Sequence, residues 1–126
     1  MTKPMKVPGP DHPIEIHPAK KHIVVTAAGR VVADTDSALM LQEASYPPVY
    51  YIPRADVDMS QLLRSTHVTY CPYKGECAYY SIAGEDERGL DAVWSYEHPY
   101  PAVSAIAGHL AFYPDRVDAI EVTPAG

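Results

Sequence analysis

The chain of 126 residues is poor in several things at once: two cysteines, one phenylalanine, one tryptophan, few basic residues and no long apolar run. Two cysteines are too few for a disulfide framework. Cys71 and Cys77 also lack the close C-x-x-C spacing and the second pair of a zinc site. His12, His17 and His22 recur every five residues, so a strand would turn His17 away from the other two. No metal site is therefore expected, and no motif implies a cofactor. Ten Lys and Arg stand against sixteen Asp and Glu, a net charge of −6, and only Lys20-Lys21 are adjacent. Phosphate-backbone binding needs clustered cations, so nucleic acid is excluded as a partner. The most apolar stretch, Ala102 to Tyr113, is broken by Ser104 and His109 and falls short of the ~20 residues a spanning helix needs. The start of the chain carries no apolar core of a secretion signal. A cytoplasmic protein without a membrane partner is the expectation.

What the chain has instead is proline, 13 residues, and tyrosine, 10 residues. Each proline fixes φ and removes a backbone donor, which favours short strands joined by rigid turns over long helices. The expected fold is mainly β: a compact single domain of short antiparallel strands with one or two helical turns. Residues 1–13, with four prolines, read as an N-terminal tail, mobile or draped on the surface. The β domain spans 14–122, and 123–126 form a C-terminal tail. Ile14-Glu15-Ile16-His17 alternates as a half-buried strand does. Ile23 to Ala27 and Val31 to Asp34 flank Ala28-Gly29-Arg30 as a hairpin. Ser37 to Glu43 is either a helical turn or a strand. Val49 to Ile52 is a strand stopped by Pro53, and Asp58 or Ser60 caps a turn through Gln61 to Leu63. Ala92 to Tyr96 forms another strand, and Val117 to Val122 alternates weakly.

The strongest local signal is the hairpin formed by His67 to Cys71 and Glu76 to Ile82 around Pro72-Tyr73-Lys74-Gly75. With a four-residue loop, Cys71 faces Glu76, Tyr70 faces Cys77 and His67 faces Tyr80. One face then carries His67, Thr69, Cys71, Glu76 and Tyr80, and the other carries Val68, Tyr70, Cys77 and Tyr79. Cys71 and Cys77 are thereby separated, which excludes a disulfide between them unless a bulge changes the register. Lys74 would favour the Cys71 thiolate and Glu76 would oppose it.

Tyr46-Pro47-Pro48-Val49-Tyr50-Tyr51-Ile52-Pro53-Arg54, Cys71-Pro72-Tyr73-Lys74-Gly75, Trp94-Ser95-Tyr96, and Ile106-Ala107-Gly108 with Phe112-Tyr113-Pro114-Asp115-Arg116-Val117-Asp118 follow one another in this order. These blocks resemble the bacterial family called domain of unknown function 427, from about His12 to Ala119. The resemblance implies a β-tent-like fold, with sheets meeting at an angle over a pocket. Many β-tent relatives hold a zinc with two cysteine pairs, which this chain lacks. Cys77 replaces the small residue usual after Lys-Gly-Glu. A nucleotidyltransferase-like label used for the family would imply phosphate chemistry. The chain has neither a Gly-rich phosphate cradle nor a Gly-Ser with paired Asp.

Ten tyrosines against one phenylalanine suit a polar-lined cleft better than a dry core. The expected ligand-binding set is Tyr50, Arg54, Cys71, Tyr73, Lys74, Glu76, Trp94 and Tyr96, with the aromatic rings holding a flat or cationic group and Arg54 clamping an anion. Each also has a plain structural reading, as core packing or as an ion pair. Three functions stay open. The first is a binding module for a small molecule or a modified side chain. The second is an enzyme using Cys71 as nucleophile or Glu76 as acid and base. The third is a structural domain without pocket chemistry. Strand edges leave self-association open as a further partnership.

Overall fold

Strand alternation decides where each side chain points, and β2 shows it plainly: Ile23, Val25 and Ala27 are fully buried while the residues between them are half-exposed. The structure, a computed structural model, describes residues 3–125. Among these, ten strands follow in chain order: β1 (Ile14–Pro18), β2 (Lys21–Ala27), β3 (Arg30–Thr35), β4 (Leu39–Glu43), β5 (Val49–Tyr51), β6 (Leu62–Cys71), β7 (Gly75–Ile82), β8 (Val93–Ser95), β9 (Ala111–Phe112) and β10 (Ala119–Pro124). They build three antiparallel sheets, ordered β1-β4-β5, β10-β2-β3 and β6-β7-β8-β9. The fold is mainly β.

The four-stranded sheet is covered on both faces. Tyr80 and Ile82 of β7, Val93 of β8 and Phe112 of β9 join Ile23, Val25 and Val32 in one buried cluster. The neighbouring residues Cys77, Tyr79, Trp94 and Ala111 pack on the other side with Leu41, Tyr51 and Tyr96. Period-two alternation thus gives one sheet two different surfaces.

Among the described residues, helical structure is limited to five short 3-10 segments, at 54–56, 59–61, 87–89, 101–106 and 114–116, more than the one or two turns expected. The extra ones follow from proline: Pro53 precedes the first, and Pro101 and Pro114 open the last two, where a missing N–H costs nothing. Asp58 caps a turn, accepting from the Ser60 N–H, but the turn is Met59–Gln61 and not one through Leu63, since Leu62 and Leu63 already belong to β6. The ambiguous Ser37–Glu43 window resolves as strand, β4. Strand β10 continues to Pro124, and residues 3–12 lie against the β6–β7 hairpin. The Lys6 N–H donates to the Pro72 carbonyl at 2.8 Å, and Tyr70 Oη donates to the Pro4 carbonyl.

The hairpin register differs from the expected one. Cys71 pairs with Gly75, Tyr70 with Glu76 and Thr69 with Cys77, so the loop has three residues. The reason is Gly75: its φ of +106° closes the turn inside the ladder, a conformation glycine adopts without cost. One residue of slip exchanges faces. Cys71 and Cys77 therefore share a face, contrary to the four-residue-loop expectation, and Glu76 is on the opposite one. Further along, Ser65 to His67 bulge opposite Tyr79 before Arg64 pairs with Tyr80, so His67 does not face Tyr80. Both cysteines are free thiols.

Candidate functional site

Strand β4 places Leu39, Leu41 and Glu43 on one face, and Glu43 is the polar end of that row. The β6–β7 turn carries Lys74 back over the sheet, where its side chain buries until the residue is only 8% exposed. A lysine on a hairpin loop normally extends into water. Here the Lys74 ammonium donates to one Glu43 oxygen and lies 5.6 Å from the Tyr96 ring centre. His12 Nε2 meets the other Glu43 oxygen at 2.7 Å, and its ring stacks on Tyr73 at 4.0 Å. Glu43 is thus held from two sides. Burial pushes its carboxyl up, but the bonds from Lys74 and His12 outweigh burial and bring it below the ordinary value.

The ion pair forms one wall of a pocket of about 230 Å³. The other walls are largely aromatic: Tyr46, Tyr51, Tyr79, Trp94, Tyr96 and Tyr113, with Leu41, Pro47 and Val49 between them. Trp94 is one of these walls. Its ring meets Tyr113 at 4.4 Å and Tyr51 edge-on at 6.4 Å, and its Nε1–H donates to Tyr51 Oη at 3.2 Å. Because Tyr51 Oη accepts that bond, its own proton is left to donate elsewhere. Burial raises the phenols of Tyr51, Tyr79 and Tyr96 well above their ordinary value, so all three stay protonated. Burial also pushes the Cys77 thiol up, against the opposing pull of the hydroxyls of Tyr79, Tyr96 and Thr69. Cys77 is a neutral packing group in this setting.

The eight residues singled out from the sequence are distributed over several places. Lys74, Trp94 and Tyr96 line the pocket together. Cys71 packs half-buried against the same cluster without lining the pocket. Tyr73 sits outside it, stacked on His12. Tyr50 points to the opposite side of β5 from Tyr51, into a separate apolar crevice of about 100 Å³ that has Trp94 and Val49 as common walls with the pocket. Glu76 is exposed, 4.0 Å from Lys3. Arg54 lies on the far face of the sheet, donating to Tyr80 Oη at 3.3 Å. There Tyr80 Oη donates to Glu97, which also takes a two-pronged bond from Arg64 at 2.9 and 3.0 Å.

Among the described residues, no group of three or more His, Cys, Asp or Glu gathers as metal ligands would, and no helix is long and apolar enough to cross a membrane. A family profile described as Domain of unknown function (DUF427), labelled NTP_transf_9, matches residues 15–123. The chain belongs to that family. A search of curated proteins returned no match. The blocks through which the sequence resembles the family supply most of the aromatic pocket: Tyr46 and Tyr51 from the first, Lys74 from the second, Trp94 and Tyr96 from the third and Tyr113 from the fourth. Sequence reasoning missed Glu43, His12, Tyr46, Tyr79 and Tyr113 as site residues. For Glu43 a signal existed, since reading Leu39–Glu43 as a strand puts its carboxylate beside Leu41.

Proposed function

We propose that this protein is a binding module that takes a small organic molecule between Trp94, Tyr113 and the Lys74–Glu43 pair. The observation that carries the reading is a concave site with aromatic walls and one buried, charge-balanced ion pair, the composition typical of ligand pockets. Apolar side chains would fill this volume at lower desolvation cost if stability were the only demand. Aromatic faces supply contact area, and the phenol hydroxyls supply direction. Cys71 packs beside the site and Glu76 lies on the opposite face, so neither enters the reading.

Trp94, the single tryptophan, reports on its own site. A metabolite screen by thermal shift, followed by titration of Trp94 emission, should find compounds that raise the melting temperature and change the emission together. A ligand at about 100 times its dissociation constant contributes about 2.7 kcal/mol. Tyr46→Ala removes an exposed rim residue and should weaken such ligands without lowering the stability of the free protein. Hits that bind Tyr46→Ala and Tyr113→Ala as tightly as the unaltered protein would overturn the proposal.

A further inference from the structure

Tyr79 and Tyr113 wall more than the aromatic pocket. The same two rings border a wider cleft of about 640 Å³, whose remaining wall is His67, Glu87, Leu90, Asp91, Asp115 and Arg116. The charges around the two spaces are unequal. Lys74 is already neutralised by Glu43. Arg116 turns its guanidinium to the carbonyls of Arg88 and Leu90, both at 3.3 Å. Glu87, Asp91 and Asp115 have no ion-pair partner among the described residues. A ligand in the aromatic pocket therefore sits one pair of rings, Tyr79 and Tyr113, away from a cleft with more carboxylates than cations. Both elements attract positive charge: the carboxylates by Coulomb forces focused in a cleft, the rings by their quadrupoles. Lys74 is paired with Glu43, and the Arg116 guanidinium, which has no carboxylate partner among the described residues, stands in the cleft against three carboxylates.

Resting on the binding reading above, we infer that the ligand of this pocket is an organic cation, a substituted ammonium group that seats against Trp94 and Tyr113. The charge of the ligand, rather than its shape, is what the cleft selects. A bulky ammonium suits the aromatic walls because it is weakly hydrated, so little solvation is lost on entry.

Three probes of equal shape test this: choline, the neutral 3,3-dimethylbutan-1-ol and the anionic 3,3-dimethylbutanoate, each titrated against Trp94 emission at low and at high salt. Choline should bind about tenfold more tightly than the alcohol, the carboxylate more weakly than both, and the advantage of choline should shrink with salt. In Asp91→Asn/Asp115→Asn, choline should lose about threefold to tenfold while the alcohol is unchanged. Equal binding of choline and the alcohol would overturn the charge inference and leave the pocket reading standing. Tighter binding of the carboxylate would also overturn it and would assign selectivity to Lys74. If none of the three probes changes Trp94 emission, the cation inference fails, and the metabolite screen then decides the pocket reading separately.

Discussion

The two faces of the β6-β7-β8-β9 sheet are built from the same strands and hold different chemistry. One face packs Val93, Phe112 and Ile82 against Ile23, Val25 and Val32, with the Tyr80 hydroxyl and its Arg54, Arg64 and Glu97 partners to one side. The other packs Tyr51, Tyr79, Tyr96, Trp94 and Cys77 around a pocket walled by Lys74 and Glu43. Alternation places these sets back to back: Val93 and Trp94 are neighbours in sequence and look in opposite directions. A domain of this size can thus keep stability on one side and leave the other open. The buried Lys74–Glu43 pair carries a desolvation cost that the Ile23, Val25 and Val93 cluster avoids.

Truncating the Ile23, Val25 and Val93 cluster should give the largest effect. Leu110, fully buried in that cluster, should cost about 3–4 kcal/mol as Leu110→Ala in denaturant unfolding, from lost transfer energy and the cavity left behind. Binding of any pocket ligand to the folded protein should hardly change. A large loss of affinity there would show that the two faces are not independent.

Next in size is the ion pair. Glu43→Ala leaves the Lys74 ammonium buried without its partner and should cost about 3 kcal/mol. Replacing both, as Glu43→Leu with Lys74→Met, should recover most of that loss, since well-packed apolar groups often replace a buried pair at little cost. If the double variant is no more stable than Glu43→Ala, the cost is a packing defect and not an orphaned charge.

A smaller change follows from Tyr51→Phe, which removes the acceptor of the Trp94 indole and should cost about 1 kcal/mol. Trp94 emission should shift with it. An unchanged spectrum would mean that the indole finds another partner.

The smallest effect is on pH dependence. The Glu43 carboxyl lies below its ordinary value of 4.5 in the folded state, so the stability it contributes is present above that value and is lost as pH falls through the lower folded value. Glu97 is depressed in the same direction, burial pushing it up and Arg64 and Tyr80 outweighing that. The unfolding midpoint should therefore drop between about pH 6 and about pH 3, and Glu43→Gln should make that drop shallower without abolishing it. A slope identical to that of the unaltered protein would mean that Glu43 contributes nothing to acid unfolding.

Much of the strand content was legible because the short alternating runs stop at prolines: Pro53 after β5, Pro99 after the Trp94 strand, Pro114 after β9. The Trp94 and Tyr96 pair was legible for the same reason, since residues two apart on a strand share a face. Glu43 was not recognised, because seven residues that suit either helix or strand carry no decisive period. His12 was assigned to a tail, and only the contact of that segment with the hairpin brings its ring to Glu43. The placement of Cys71 and Glu76 turned on one residue of loop length, which composition does not set.

By itself the sequence determined the class of the fold and the aromatic, proline-punctuated blocks that supply most of the pocket walls. Those features are local: they depend on φ restrictions, on period-two alternation and on the counts of tyrosine and basic residues. The tertiary structure alone decided that Lys74 turns inward onto Glu43, that Cys71 and Cys77 share a face, and that Arg54 and Glu76 lie away from the aromatic pocket. Each of these depends on register or on contacts between distant segments. A slip of one residue at Gly75 is enough to exchange which side chains meet the core.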